Sequence, residues 1–345
     1  MHMTKVAIVG ASGYAGAELI RIIHTHPHFE LGVIAAGSNA GSTLAHVHPQ
    51  FSSVPELAGK VFADSTPQAL AGHDLVFLAL PHGQSAELIA QLPIDVRIVD
   101  LGADFRLEDY KDWHTYYGGA YAGSWTYGIP EIHGVREKIS GSTRVANPGC
   151  YATSIELGLA PLLAANAIDA TDIIVVAASG TSGAGRGAKV NLLNSEVAGS
   201  MSAYKVGGTH QHTPEIEQTL SKLAGTEVQI NFTPMLAPMP RGILATISAK
   251  TELGGAQLRE VMSKYFEGEA FVTVLPEGQL PVTASTLGSN AVHIQVAKDD
   301  RTNRATIIVA IDNLIKGAAG QAIQNANLIC GYPETAGLTA IGVAP

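Results

Sequence analysis

Lys5-Val6-Ala7-Ile8-Val9-Gly10-Ala11-Ser12-Gly13-Tyr14-Ala15-Gly16 decides the fold of this chain. Its first half is a continuous apolar run, which reads as a strand buried on both faces within a parallel sheet. The run passes straight into glycines at 10, 13 and 16 and then into the amphipathic stretch 17–26. Strand, glycine turn and helix thus occur in the order a dinucleotide-binding unit needs. Gly10 permits the tight turn, Gly13 lets backbone approach a pyrophosphate, and Gly16 lets helix and strand pack closely. Ser12 and the N–H groups opening the helix are the predicted phosphate donors. A tight turn without a ligand would use the same glycines; its place directly after the first buried strand favours the nucleotide.

Residues 30–36 (ELGVIAA), 74–80 (DLVFLAL) and 96–101 (VRIVDL) repeat the strand pattern, with short helices predicted over 66–72 and 83–92. Such alternation predicts an α/β fold with a Rossmann-type, doubly wound parallel sheet. NAD sites usually carry an acid about 20 residues beyond the glycines, which binds the ribose 2′-hydroxyl. Here the loop after the second strand reads Ala36-Gly37-Ser38-Asn39-Ala40-Gly41-Ser42, with no acid. An uncharged loop tolerates a 2′-phosphate, so the predicted cofactor is NADP(H), with Ser38 as leading donor. His82, in Leu80-Pro81-His82-Gly83, ends a parallel strand where cofactors bind.

After about Gly102 the pattern changes. Residues 109–134 are rich in Tyr, Trp and Gly without periodicity and read as a long ordered loop. Strand candidates follow at 172–179, 228–234, 242–249, 271–275, 291–297 and 305–311, with helices at 256–266 and 312–329 and the apolar run 155–165 continuing the helix that opens near Cys150. They predict a second, α+β domain built on a mixed sheet.

Asn147-Pro148-Gly149-Cys150 stands between the two parts. Asn147 is a predicted N-cap and Pro148 suits the first helical position. That places the Cys150 thiol in a helical first turn, where unpaired N–H groups and the macrodipole favour a negative charge. The thiolate is the form that attacks a carbonyl carbon. A buried structural cysteine is the bland alternative, and it is the reading given to Cys330. A second cluster, Gly208-Thr209-His210-Gln211-His212-Thr213-Pro214-Glu215, offers a proton acceptor for that thiol, with Glu215 able to orient one ring. The residues alone leave His210 and His212 open, with His210 preferred. A zinc site would need further ligands at recognisable spacing, so no metal is expected. Arg106, Arg186 with Lys189, and Arg241 lie beside glycine or proline turns, where each can bind phosphate or carboxylate or remain a solvated charge.

The totals bound the rest. The chain has 345 residues, length for about two domains, with 46% hydrophobic and 15% charged residues. A net charge of −9 argues against a nucleic-acid surface. Two cysteines are too few for a disulfide framework. The first strand begins at Thr4 or Lys5, which leaves no room for a signal peptide ahead of it. No apolar run approaches the roughly 20 residues of a membrane span. A cytoplasmic protein is expected.

The segments GASGYAG (10–16), FLALPHG (77–83), DLGADFR (100–106), NPGCYAT (147–153), SGTSGAGR (179–186), THQHTPEI (209–216), PEGQLP (276–281) and AIDNLIKG (310–317) resemble the N-acetyl-γ-glutamyl-phosphate reductase family. They stand in the family's order and span almost the whole chain. The family usually shows Arg between its paired histidines, where this chain has Gln211. The resemblance implies a semialdehyde-dehydrogenase-like fold and the third step of arginine biosynthesis: NADPH-dependent conversion of an acyl phosphate to a semialdehyde and inorganic phosphate through a cysteine thioester. It puts the nucleophile at Cys150 and proton transfer at His210, with His212 and Glu215 beside it. It assigns cofactor contacts to Gly10, Ser12, Gly13, Tyr14, Ala15, Gly16, Ser38, Pro81, Ser182, Gly183 and Asn313. Asn147, Arg106 and Arg186 are the expected substrate contacts, the arginines for the leaving phosphate and the α-carboxylate. It further implies a discontinuous cofactor domain (1–149 plus 313–345) around a catalytic and oligomerisation domain (150–312), and a homodimer or homotetramer. The rival readings are aspartate-semialdehyde dehydrogenase, a lysine-pathway aminoacyl phosphate reductase, and a non-catalytic NADP-binding redox sensor. A Cys–His hydrolase would have no use for the glycine loop.

Overall fold

A computed structural model describes residues 3–344, which fall into two compact units. One unit runs to Pro148 and is completed by Ala318–Leu338; the other is Gly149–Gly317 with the segment from Thr339.

The first unit is built on six parallel strands: β1 (Thr4–Val9), β2 (Phe29–Ala35), β3 (Leu75–Leu78), β4 (Arg97–Asp100), β5 (Thr126–Tyr127) and β6 (Arg144–Ala146). Their order in the sheet is β2-β1-β3-β4-β6-β5. Helices cover both faces, so the cores of the central strands, Val6–Val9, Leu75–Leu78 and Ile98–Val99, are consecutive apolar residues rather than alternating. Val6, Ala7, Ile8 and Val9 are fully buried, as is all of β3. Ala7, Val9, Val76, Leu78 and Ile98 close on Leu70, Leu88 and Ile89 in one core cluster. Burying such side chains contributes roughly 1.5–3 kcal/mol each, enough to hold strands as short as β3 and β4.

Strand order reverses between β1 and β3, and ligands of open α/β sheets bind beyond the carboxyl ends of strands at such a point. Gly10 follows β1 there with φ +78°. A Cβ on Gly10 would overlap the Ala79 carbonyl oxygen beyond β3, and one on Gly16 would lie 2.6 Å from Ala11 Cα. These two positions therefore require glycine. The helix Tyr14–His24 starts at Gly13 with no side-chain cap and no acid in its first turn.

The second unit carries a seven-stranded mixed sheet. Its strands are β7 (Ile173–Ser179), β8 (Ser202–Ala203), β9 (Ile230–Leu236), β10 (Ile243–Lys250), β11 (Val272–Val274), β12 (Val292–Asp299) and β13 (Arg304–Ile311), in the order β11-β12-β13-β10-β7-β9-β8. The helices Cys150–Ala164, Thr213–Ala224 and Gly255–Tyr265 pack on it. Gly158 lets the Cys150 helix press close: a Cβ there would meet Ile247 and Val309 at 2.9 Å. Along β7 burial alternates, with Ile173, Val175 and Ala177 covered while Ile174 and Val176 are 45% and 38% exposed. Val176 pairs with Thr246, and Thr246 with Ile308. This face of the sheet bears apolar side chains without a helix over them.

Three expectations are corrected. The 109–134 loop contains a helix, Tyr110–Tyr116, started by Asp109 accepting the Lys111 N–H at 2.7 Å. Two turns are too short to show a period in sequence, although Trp113 is buried by them. The terminal helix is Gly320–Ile329, not 312–329. The return of the chain expected at Asn313 comes at Ala318, because Asp312 and Asn313 are tied to Arg241 and Gly242 inside the second unit. The tail from Thr339 also belongs to that unit, through Asn290 N–H to Thr339 O at 2.8 Å and Val343 N–H to Leu287 O at 2.9 Å.

Candidate active site

Cys150 is the first residue of the helix Cys150–Ala164 and is partly exposed. The cap is not the predicted Asn147. Gly149 occupies the N-cap with φ −71° and ψ 150° and brings no side chain. Its N–H donates instead to Glu215 Oε1 at 2.7 Å, a carboxylate wholly buried in the first turn of the helix Thr213–Ala224. One helix thus lends its acid to the start of another. Asn147 sits 1% exposed, donating to Ala318 O at 3.2 Å and accepting from Asn325 at 3.0 Å. The amide expected on substrate is engaged within its own unit.

The paired histidines differ. His210 is buried beneath Tyr151, Tyr204 and Phe232, with ring centroids 5.4, 5.7 and 5.2 Å away. Its Nδ1 accepts the His212 backbone N–H at 3.1 Å. The ring proton therefore belongs on Nε2. Burial first, then His212, push the His210 pKa down to about 2, so it stays neutral and serves as a donor. His212 is more exposed, and its ring lies over Gly149: a Cβ there would overlap its Cε1 and Nε2. Gln211 accepts from Lys205 Nζ at 2.6 Å, so a cation still stands beside the histidines.

Two tyrosines complete the surroundings, and their roles were missed in the sequence. Tyr204 OH donates to Tyr151 OH at 3.1 Å, and Tyr151 OH donates to Met235 O at 3.0 Å. Burial raises the Tyr204 pKa to about 12 and that of Tyr151 further, and a negative Cys150 adds to both shifts. They remain neutral hydroxyls beside Cys150. Only NPGCYAT hinted at Tyr151, by adjacency.

Ser182, Gly183 and Asn313 do come together. Asn313 accepts from Gly242 N–H at 2.7 Å and donates to Ser182 Oγ at 3.0 Å, with Gly183 against Ser179. Arg186 is exposed on the same connection. Arg106 is 6% exposed and donates to Leu101 O at 2.9 Å, which makes it a brace of its own loop.

In the first unit, Gly10 to Gly16 form a glycine turn, closed by Gly13 N–H to Gly10 O at 3.1 Å and opening onto a helix start, the kind of geometry that can receive an anion. Tyr14 is 39% exposed at its mouth. Ser38 is exposed just past β2, and Pro81 and His82 just past β3. Asp104, unnoticed in the sequence, accepts from Gly83, Ser85 and Ala86 N–H groups and fixes this last turn. Beside it, burial raises the Asp100 pKa to about 7, with Ser85 Oγ donating to it at 3.0 Å.

Comparison with known proteins agrees with this arrangement. Residues 5–142 match the family described as semialdehyde dehydrogenase, NAD binding domain, and residues 150–313 the semialdehyde dehydrogenase, dimerisation domain. Among solved structures, aspartate semialdehyde dehydrogenase II of Vibrio cholerae, complexed with ASA, is 17% identical with a TM-score of 0.70, covering 96% of this chain and 99% of that one. The Candida albicans aspartate semialdehyde dehydrogenase with NADP is 16% identical with a TM-score of 0.66, over 95% and 98%. At such identity these show the fold. The N-acetyl-gamma-glutamyl-phosphate reductase of Acidothermus cellulolyticus is 56% identical over 343 residues, 99% of each chain. That of Streptomyces coelicolor is 54% identical over 343 residues, again 99% of each. With full-length identity at this level, the chain belongs to the N-acetyl-γ-glutamyl-phosphate reductase family.

Proposed function

We propose that the protein reduces N-acetyl-γ-glutamyl phosphate to N-acetylglutamate semialdehyde, releasing inorganic phosphate. The observation that carries the reading is Cys150 at the start of a buried helix whose N-cap backbone is pinned by Glu215. The chain's relationship to reductases of that name supports the substrate.

Cys150 is the nucleophile. Its sulfur bonds to the acyl carbon, the carbonyl electrons move onto oxygen, and phosphate departs with the C–O bonding pair, leaving a thioester. N–H groups of the helix's first turn and the Nε2–H of His210 are the donors available to the oxyanion. NADPH, when bound, supplies the hydride that takes the acyl carbon to the aldehyde level. Collapse of the thiohemiacetal then breaks the C–S bond and returns the electron pair to sulfur. Proton transfer is assigned here to His212 rather than His210, a reading supported by the burial of His210 and the commitment of its Nδ1, against the partly exposed His212 ring over Gly149. Arg186 remains the proposed substrate cation, and Arg106 a positioning residue.

The fit to NADPH rests on three features: Gly10 and Gly16 admit no Cβ, the helix start lacks a side-chain cap, and the residues after β2 carry no acid. Gly10 to Gly16 would hold the pyrophosphate and Ser38 the 2′-phosphate. The uncovered sheet face around Ile174, Val176 and Ile308 supports a homodimer, in keeping with the matched dimerisation domain. Among the described residues no helix is long and apolar enough to cross a membrane; the cytoplasm, where the pathway's intermediates would be met, is the proposed location.

The test is phosphate- or arsenate-dependent reduction of NADP+ with N-acetylglutamate semialdehyde and with aspartate semialdehyde. Activity with the first and none with the second is expected; the reverse would transfer the chain to the aspartate enzyme's reaction.

A further inference from the structure

In the first unit a histidine that no functional reading has used reaches the glycine turn. His48 follows the short helix Leu44–Val47, is 3% exposed, and places Nε2 3.1 Å from the carbonyl oxygen of Ala11. A carbonyl only accepts, so His48 donates through an Nε2–H. The other side of Ala11 is also held, its N–H donating to Ala35 O at the end of β2 at 3.0 Å. Ala11 is the second residue of the turn that Gly13 N–H closes on Gly10 O.

The consequence follows from peptide geometry. The Ala11–Ser12 peptide is planar and trans, so its C=O and N–H point in opposite directions. Pinning Ala11 O on His48 therefore directs the Ser12 N–H away from His48, toward the side of the turn where anions bind at a glycine loop and helix start. That plane is set by ψ of Ala11 and φ of Ser12, so a hydrogen bond to the Ala11 carbonyl acts on it directly.

We infer that His48 is a positioning residue for the cofactor's pyrophosphate: it sets the Ala11–Ser12 peptide so that Ser12 N–H faces the phosphates. This rests on the dinucleotide reading of the turn. His48 reaches it from the segment that follows the Ser38 loop, which is itself anchored by Gly41 N–H to Phe62 O at 2.8 Å and Phe62 N–H to Ser42 O at 3.0 Å. Those backbone bonds do not involve His48; its ring packs edge-on to Phe62 with centroids 6.3 Å apart, an apolar contact that the His48→Leu variant keeps.

That separation gives the test. Dissociation constants are measured by titration calorimetry, below the melting temperature of each protein, for NADPH and for adenosine 2′-monophosphate, which carries the 2′-phosphate and no pyrophosphate. His48→Leu is expected to weaken NADPH about 10-fold, the loss of one hydrogen bond's worth of orientation, and to leave the 2′-monophosphate unchanged. His48→Gln, whose amide restores a donor, is expected to recover most of the NADPH affinity. Unchanged NADPH binding in His48→Leu would overturn the inference. So would equal weakening of both ligands, which would make His48 a support of the adenosine side. A wild-type protein that bound neither would instead defeat the dinucleotide reading itself.

Discussion

The Glu215 carboxylate and the Gly149 backbone N–H are 2.7 Å apart, and this bond joins the two segments that the sequence presented as separate motifs. NPGC leads into the helix that begins at Cys150, and HTPE supplies the acid that holds its N-cap backbone. A charge-assisted bond of this kind contributes about 1.5–3 kcal/mol. Glu215→Ala is expected to lower stability by about that amount and to reduce kcat, because the first turn holding Cys150 loses its anchor. Glu215→Gln, which keeps an acceptor, should recover most of the stability. Urea unfolding and steady-state rates check both; an Ala variant with wild-type kcat would make the bond irrelevant to catalysis.

Acid should loosen the fold before it reaches the chemistry. His26 is 4% exposed, and burial lowers its pKa from 6.5 to about 4. Its Nδ1 accepts two backbone N–H groups, from His28 and Phe29, which the protonated ring cannot do. The unfolded chain takes up this proton as pH falls through 6.5 while the folded protein resists until about 4. Stability is therefore full above 6.5 and declines through that window, by about 2 kcal/mol between pH 7 and pH 5. His210 is shifted in the same direction and adds to the loss. Urea midpoints at the two pH values measure it, and an unchanged midpoint would contradict a neutral buried His26.

Coenzyme choice should turn on one side chain. Ser38→Asp places a carboxylate where the 2′-phosphate is proposed to sit, and like charges in contact cost several kcal/mol. The variant is expected to lose kcat/KM for NADPH by one to two orders of magnitude and to leave that for NADH unchanged or raised. Equal losses for both coenzymes would move the 2′-phosphate elsewhere.

The bare face of the mixed sheet gives an assembly prediction. Val176→Asp buries a charge in any interface formed there, at a cost no exposed surface would show. Light scattering should find monomer in place of dimer, with far-UV circular dichroism unchanged. A dimer that persists would place the interface on other residues.

The nucleotide-binding sheet was legible because both kinds of signal were local. Largely apolar runs marked β1 to β4, and the glycines of the turn followed β1 directly. Cys150 was legible for the same reason, since a first-turn position follows from its neighbours. What the sequence hid depends on partners far along the chain. Asn147 looks like a cap, yet the cap's work falls to Glu215, 66 residues on. His210 and His212 are equivalent in spacing, and only packing under Tyr151, Tyr204 and Phe232 separates a buried donor from a more exposed ring. β6 and the helix Tyr110–Tyr116 escaped because each is too short to display a period.

The central claim is a covalent bond between Cys150 and the acyl group. Protein mixed with N-acetylglutamate semialdehyde and NADP+ in the absence of phosphate, then acid-quenched, should show the N-acetylglutamyl adduct by intact mass, located to the Cys150 peptide and discharged on adding phosphate. Turnover persisting in Cys150→Ala, or steady reduction of NADP+ by the wild-type protein with no adduct at that cysteine, would contradict the account.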